Sequence, residues 1–156
     1  MRAPSAARVM KQAPFVPPFW NGDRMDQKTF HELYKKTPDG FKAELIGGIV
    51  YVASPTTSRH GRPHARIVYW LSVYSDHTPG TDTLDNTTNV LGAESEPQPD
   101  ACLLVEPEYG GSTTDTDGYV TGPAELVAEV AYPSAAFDLH AKRIEYEQAG
   151  VRAHER

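Results

Sequence analysis

Ala124-Glu125-Leu126-Val127-Ala128-Glu129-Val130 is the stretch on which the fold turns. Leu126, Val127 and Ala128 would place apolar groups on both faces of an extended chain, the pattern of a strand covered on both sides. Glu129 interrupts that run. A carboxylate there carries a desolvation penalty of several kcal/mol unless it is paired or bound to a cation. A salt bridge would satisfy it, but burial favours a ligand or catalytic role. Upstream, Pro97-Gln98-Pro99-Asp100-Ala101-Cys102-Leu103-Leu104-Val105 gives a second apolar strand that begins at a carboxylate. Taken alone, Asp100 reads as an ordinary turn-to-strand junction. Two carboxylates on rigid strands are also what a hard divalent cation needs, because Mg2+ takes oxygen ligands in near-octahedral geometry and keeps several waters. Downstream, Phe137-Asp138-Leu139-His140-Ala141-Lys142 sets an ammonium on a helix. Such a charge stabilises a developing phosphorane or orients an attacking water.

The 156 residues amount to one domain with a core of useful size. A formal charge of -6 argues against a protein that simply coats nucleic acid by counterion release. It leaves open an enzyme that acts on nucleic acid through a local basic surface. The single cysteine, Cys102, falls in an apolar strand and reads as a small buried hydrophobe. No run is long and apolar enough to cross a bilayer, and residues 1–16 lack the continuous apolar segment of a signal peptide, so the expectation is a cytoplasmic protein without a membrane partner.

Residues 1–22, with Pro14, Pro17 and Pro18, read as a disordered or loosely docked arm, and residues 23–156 as the folded domain. Asp26 is placed to cap a helix reaching Lys36, with Phe30, Leu33 and Tyr34 on its apolar face. Gly47-Gly48 joins two short strands, 42–46 and 49–52, as a hairpin. A longer helix spans 59–75, with Pro63 expected in its first turn. Short strands follow at 81–84 and 87–91, then the Asp100 strand, a polar loop over 108–122, the Glu129 strand and a helix from Ser134 to Ala149 stopped by Gly150. This order predicts an α/β (α+β) domain, a mixed central sheet flanked by helices. The closing strand expected after the last helix is missing from the reading, because Val151-Arg152-Ala153-His154-Glu155-Arg156 follows Gly150 directly.

Other candidates carry a plainer reading beside the functional one. Glu44 is either an exposed strand glutamate or a site residue. Asp138, Lys142 and Tyr146 lie four apart on one stripe, which alone is an ordinary solvated helix face. His60 and His64 have ligand spacing but no third partner for zinc nearby. Arg59, Arg62 and Arg66 are either phosphate contacts near a helix N-terminus or a solvated basic face. Asp115-Thr116-Asp117-Gly118 has a calcium-loop flavour without the later glutamate, so a surface loop is the better reading.

In order and spacing, Ala43-Glu44-Leu45-Ile46-Gly47-Gly48, Ser54-Pro55-x4-His60, Gln98-Pro99-Asp100, Glu125 to Val130 and Asp138-x3-Lys142-x3-Tyr146-x3-Gly150-Val151 resemble the Uma family of putative restriction endonucleases, within the PD-(D/E)xK nuclease superfamily. The resemblance spans residues 26–152. It implies a restriction-endonuclease-like core and an Mg2+-dependent (or Mn2+-dependent) endonuclease acting on DNA. Asp100 matches the PD aspartate and Glu129 the acidic residue of the (D/E)xK element. Ala131 stands where that element has lysine, so the resemblance assigns the lysine to Lys142 on the following helix. Glu44 matches the early acidic residue, giving Glu44, Asp100 and Glu129 as metal ligands. His60, Arg59, Arg62, Asp138 and Tyr146 are left as candidate substrate contacts. Relatives continue past Gly-Val with a strand, so the chain is expected to be truncated there, with an open sheet edge. That edge motivates an alternative, a catalytically inactive scaffold or homodimer built on it; a metal-dependent hydrolase of RNA or a nucleotide is a third reading.

Overall fold

The computed structural model describes residues 15–131 and 136–155, with side chains described for 15–131 and 140–152. Helix α1, Gln27–Tyr34, starts where Asp26 accepts a hydrogen bond from the Thr29 N–H at 2.8 Å. Its Phe30 is buried with Phe19, Ala43, Leu45 and Val50. Phe19 is 1% exposed, so the region expected to be a loose arm is docked by that point. Residues 1–14 lie outside the described ones.

Strands β1 (Ala43–Ile46) and β2 (Ile49–Val52) form the expected hairpin. Gly47 and Gly48 both take positive φ, 54° and 73°, as a two-residue turn of this hand requires. Helix α2, Ser58–Asp76, begins a little earlier than the sequence suggests. Pro63 therefore sits in its second turn, and the carbonyl of exposed Arg59 loses an intrahelical donor there.

The central sheet runs β3 (Thr81–Asp85), β5 (Ala101–Val105), β8 (Leu126–Ala128) and β9 (Ala153–Glu155). The pairs β3–β5 and β5–β8 are antiparallel, while β8–β9 is parallel, so the sheet is mixed. Both of its faces are covered. Ala101 and Ala128 pack with Leu71 of α2, while Cys102 and Val127 pack with Tyr146 of α3 (Ala136–Ala149). This two-sided burial is the cause of the continuous apolar runs in β5 and β8. It also pushes the Cys102 thiol pKa up to about 12, as suits a buried, inert side chain.

Two expectations are corrected here. A closing strand is present: β9 pairs Leu126 with Ala153, Val127 with His154 and Ala128 with Glu155. Gly150, at φ 94°, ends α3 and turns the chain back, its N–H bonding the Glu147 carbonyl while the Val151 N–H bonds that of Tyr146. Val151 is thereby buried against the same cluster as Tyr146, and the next residues reach β8. The edge of β8 that motivated a scaffold or a homodimer is thus occupied. The expected polar loop over 108–122 also contains a hairpin, β6 (Thr114–Thr116) and β7 (Tyr119–Thr121), turned by Asp117 and Gly118 at positive φ. Its β7 pairs in parallel with β4, Asn89–Val90. The Ser134 cap assigned to α3 lies outside the described residues.

Candidate active site

The β5–β8 ladder sets the site. Ala101 faces Ala128 at its end, so the next residues on the two strands, Asp100 and Glu129, emerge side by side. The Val130 N–H donates to Asp100 Oδ2 at 2.7 Å and locks that junction. Glu44 arrives from the hairpin. Leu45 and Glu96 exchange backbone hydrogen bonds, which lays the segment before Asp100 along β1. The Gln98 N–H then donates to Glu44 Oε1 at 2.6 Å.

Helix α3 supplies the cation. Lys142 Nζ lies 2.6 Å from Glu44 Oε1 and 3.1 Å from Glu129 Oε1. Lys142 and Tyr146, on the stripe that alone reads as solvated, face the carboxylates instead. The Lys142 side chain is 12% exposed. Burial works against its charge, but Glu129 and Glu44 outweigh that and hold its pKa above the ordinary lysine value. Glu129 is shifted toward its neutral form: burial, with the negative charges of Glu44 and Asp100, raises its pKa to about 7 despite the Lys142 ammonium and the Tyr146 hydroxyl.

Tyr146, a candidate substrate contact in the sequence, is set in the core rather than on the cleft wall. It is 2% exposed, does not line the cleft, and donates its hydroxyl to Glu129 Oε1 at 2.7 Å. Its ring belongs to the core, and burial followed by the carboxylates raises its own pKa. His60 of α2 reaches the site, with Nε2 3.1 Å from both oxygens of Asp100. A carboxylate that only accepts takes its hydrogen bond from Nε2, and among the described residues the buried Nδ1 has no hydrogen-bond partner. His64 instead holds the fold, with Nε2 2.9 Å from the Asp100 carbonyl and 2.9 Å from Asp85 Oδ1. Arg59 and Arg62 are exposed on α2, outside the cleft lining. The Asp138 side chain lies outside the described residues.

Around these groups opens a cleft of about 620 Å³, lined by Glu44, His60, Asp100, Glu129 and Lys142 together with Lys42, Asn86 and Gln98. Gln98 and Lys42 were not singled out in the sequence. Gln98 had a signal, since Pro97 and Pro99 lack an N–H and leave it the sole backbone donor of that run. Lys42 had none; it gains its place by donating to Asn86 Oδ1 across the cleft wall at 3.1 Å.

Among the described residues no group of three or more His, Cys, Asp and Glu side chains is placed to hold a metal ion. The three expected ligands are divided between other partners, Glu44 and Glu129 on Lys142, Asp100 on His60 and the Val130 N–H. The donor chemistry still fits a hard cation, since one or two carboxylates plus waters make an ordinary Mg2+ set. Burial, and after it the charges of Glu44 and Asp100, raise the pKa of Glu129, and a bound cation would favour its ionised form.

This mixed sheet between helices, with carboxylates at the end of adjacent strands, is the fold of restriction-endonuclease-like nucleases. The sequence matches the Uma2 family, described as a putative restriction endonuclease, over residues 28–153, and the chain belongs to that family. Its fold is similar to the crystal structure of a putative nuclease of the DUF820 group from Anabaena variabilis, with a TM-score of 0.63 and 11% identity over 79% of this chain and 70% of that one. No curated protein matches the sequence. Among the described residues no helix is long and apolar enough to cross a membrane.

Proposed function

We propose that this chain is a metal-dependent endonuclease that hydrolyses DNA phosphodiester bonds in the cytoplasm, with Mg2+ or Mn2+ as cofactor. The observation that carries the reading is the meeting of Glu44, Asp100, Glu129 and Lys142 in one cleft from four separate elements. Membership of a family described as a putative restriction endonuclease supports DNA as the substrate.

Asp100 and Glu129 would hold the cation, with Glu44 as the third carboxylate within reach of Lys142. A bound divalent cation supplies a water of lowered pKa and neutralises charge at the departing oxygen. Lys142, kept charged by its two carboxylates, sits where it can stabilise the negative charge that builds on phosphorus oxygens. Tyr146 fixes the Glu129 carboxylate from behind, and His60 fixes that of Asp100. In the reaction the water oxygen forms a new bond to phosphorus, and the bond from phosphorus to the leaving sugar oxygen breaks. The water's proton passes to solvent, and the leaving oxygen takes one up.

Plasmid cleavage with Mg2+ or Mn2+ tests this. Wild type should nick or linearise the plasmid, while Asp100→Ala and Lys142→Ala should each lose about 100-fold or more. Equal cleavage by all three proteins would sink the reading. Cleavage of RNA or nucleotides in preference to DNA would move the substrate to the third reading above. The scaffold alternative loses its motive, because β9 occupies the sheet edge on which it rested.

A further inference from the structure

Helix α2 carries a second surface that the cleft chemistry does not use. Its 19 residues include Arg59, Arg62 and Arg66, and its one acidic residue, Asp76, stands at the far end. On a helical projection at 100° per residue, Arg59, Arg62, Arg66, Trp70 and Val73 fall within one arc of about 80°. Tyr69 and Tyr74 flank that arc. All seven side chains are exposed; Tyr69 is 72%, Trp70 55% and Tyr74 48% accessible. The opposite side of the helix buries Leu71 against the sheet. Among the described residues no carboxylate pairs with the three arginines. The N-terminal end of the helix meets the cleft, since Thr57 and His60 form part of the lining, and Arg59 is next to His60 in the chain.

We infer that the outer face of α2 binds an unpaired DNA strand, Arg59, Arg62 and Arg66 holding phosphates near the cleft while Trp70, Tyr69 and Tyr74 stack on bases beyond it. This rests on the nuclease reading and narrows its substrate to DNA with a single-stranded segment beside the cut. Phosphate binding alone would serve a duplex equally well, and the aromatics decide against it. Rings standing out from a convex helix can stack only on bases whose faces are open, and such stacking tolerates any sequence. A second copy of the chain is a poorer occupant. A two-fold pairing of α2 on itself would enclose six arginine side chains in the seam, with no acidic residue in the stripe to offset them. A basic strip in a chain of formal charge -6 is therefore matched to a polyanion.

Binding is measured in EDTA on Asp100→Ala, with Trp20→Phe added so that Trp70 is the sole tryptophan. A short fluorescent oligonucleotide is presented single-stranded and as a duplex of the same sequence. The single strand should bind about tenfold or more tighter and quench Trp70 fluorescence. Trp70→Ser, on a background retaining Trp20, should weaken binding about tenfold by anisotropy. Arg59→Gln, Arg62→Gln and Arg66→Gln together should make the dependence of log affinity on log salt shallower by about 2. Equal affinity for duplex, an unquenched Trp70, or indifference to these exposed substitutions would each overturn the proposal. So would a wild-type dimer that Trp70→Ser converts to monomer, since a second copy would then cover the face. Failure here with wild-type plasmid cleavage intact would leave the nuclease reading standing, whereas binding without any cleavage would remove that reading and leave this surface.

Discussion

Glu96 and Glu129 are both largely removed from bulk water, and they are treated in opposite ways. Glu96 is 0% exposed, yet Gln27 Nε2 donates to one carboxylate oxygen at 2.7 Å and His31 Nδ1 lies 2.9 Å from the other. Its backbone is tied to Leu45 in both directions. Glu129 is slightly more open, at 12%, and shares its one cation, Lys142, with Glu44 while Asp100 crowds it. Glu96 serves to fasten the β1 hairpin to the segment that leads into β5. Glu129 is disfavoured as an anion by burial first, with the like charges of Glu44 and Asp100 adding to it. The comparison teaches that burial alone does not single out a candidate site carboxylate, whereas incomplete compensation singles out Glu129.

The contrast can be broken most severely at Lys142. In metal-free protein, Lys142→Ala leaves Glu44 and Glu129 facing each other with no cation, and urea unfolding should show a loss of about 3–5 kcal/mol. A divalent cation should restore part of that loss, visible as a larger rise in Tm than wild type gains from the same ion. Next comes the satisfied partner. Glu96→Ala strands the donors of Gln27 and His31 and opens a cavity, so about 3 kcal/mol should disappear with no recovery on adding metal.

Glu129→Gln should act with the opposite sign. The folded pKa of about 7 lies above the ordinary glutamate value of 4.5, so proton binding at this carboxyl favours the fold below pH 4.5, and that contribution is lost as pH rises through 7. In EDTA the variant should therefore match wild type near pH 4.5 and exceed it at pH 8 by about 1–3 kcal/mol. A stability difference that stays flat across that range would show that Glu129 is as well compensated as Glu96. The smallest effect is expected at Tyr146→Phe, which removes one hydrogen bond to Glu129 and should lower stability by about 1 kcal/mol. Plasmid cleavage by that variant should fall by no more than about tenfold, because the hydroxyl positions a carboxylate without touching substrate.

Much of this was legible locally. Asp26 announces a cap, Gly47-Gly48 a hairpin, and Leu126-Val127-Ala128 a strand covered on both faces, because each depends on the chemistry of adjacent residues. Glu129 declares itself by interrupting that strand. The missed features depend on distant neighbours. Ala153-His154-Glu155 has little strand propensity and pairs only because β8 offers an edge at the place where the Gly150 turn delivers it. Glu96 lies in Glu94-Ser95-Glu96-Pro97, a run as polar as any surface loop, and its burial follows from helix α1 closing over it with Gln27 and His31. Tyr146 was placed on the correct stripe, but the direction of that stripe follows from how α3 lies on the sheet. The β6–β7 hairpin did have a signal, Asp117-Gly118 between Thr114-Asp115-Thr116 and Tyr119-Val120, which the reading of 108–122 as a polar loop passed over.

That hairpin has a practical consequence. Asp100 and Glu129 are aligned by the pairing of Ala101 with Ala128, and the whole connection from 106 to 125 leaves one strand and rejoins the other without entering their shared end. Added length at the exposed Asp117-Gly118 tip therefore does not change which residues stand opposite each other in the ladder. The tip is a natural port for grafting a peptide or a fluorophore, one able to report on the molecule while its working end keeps its alignment.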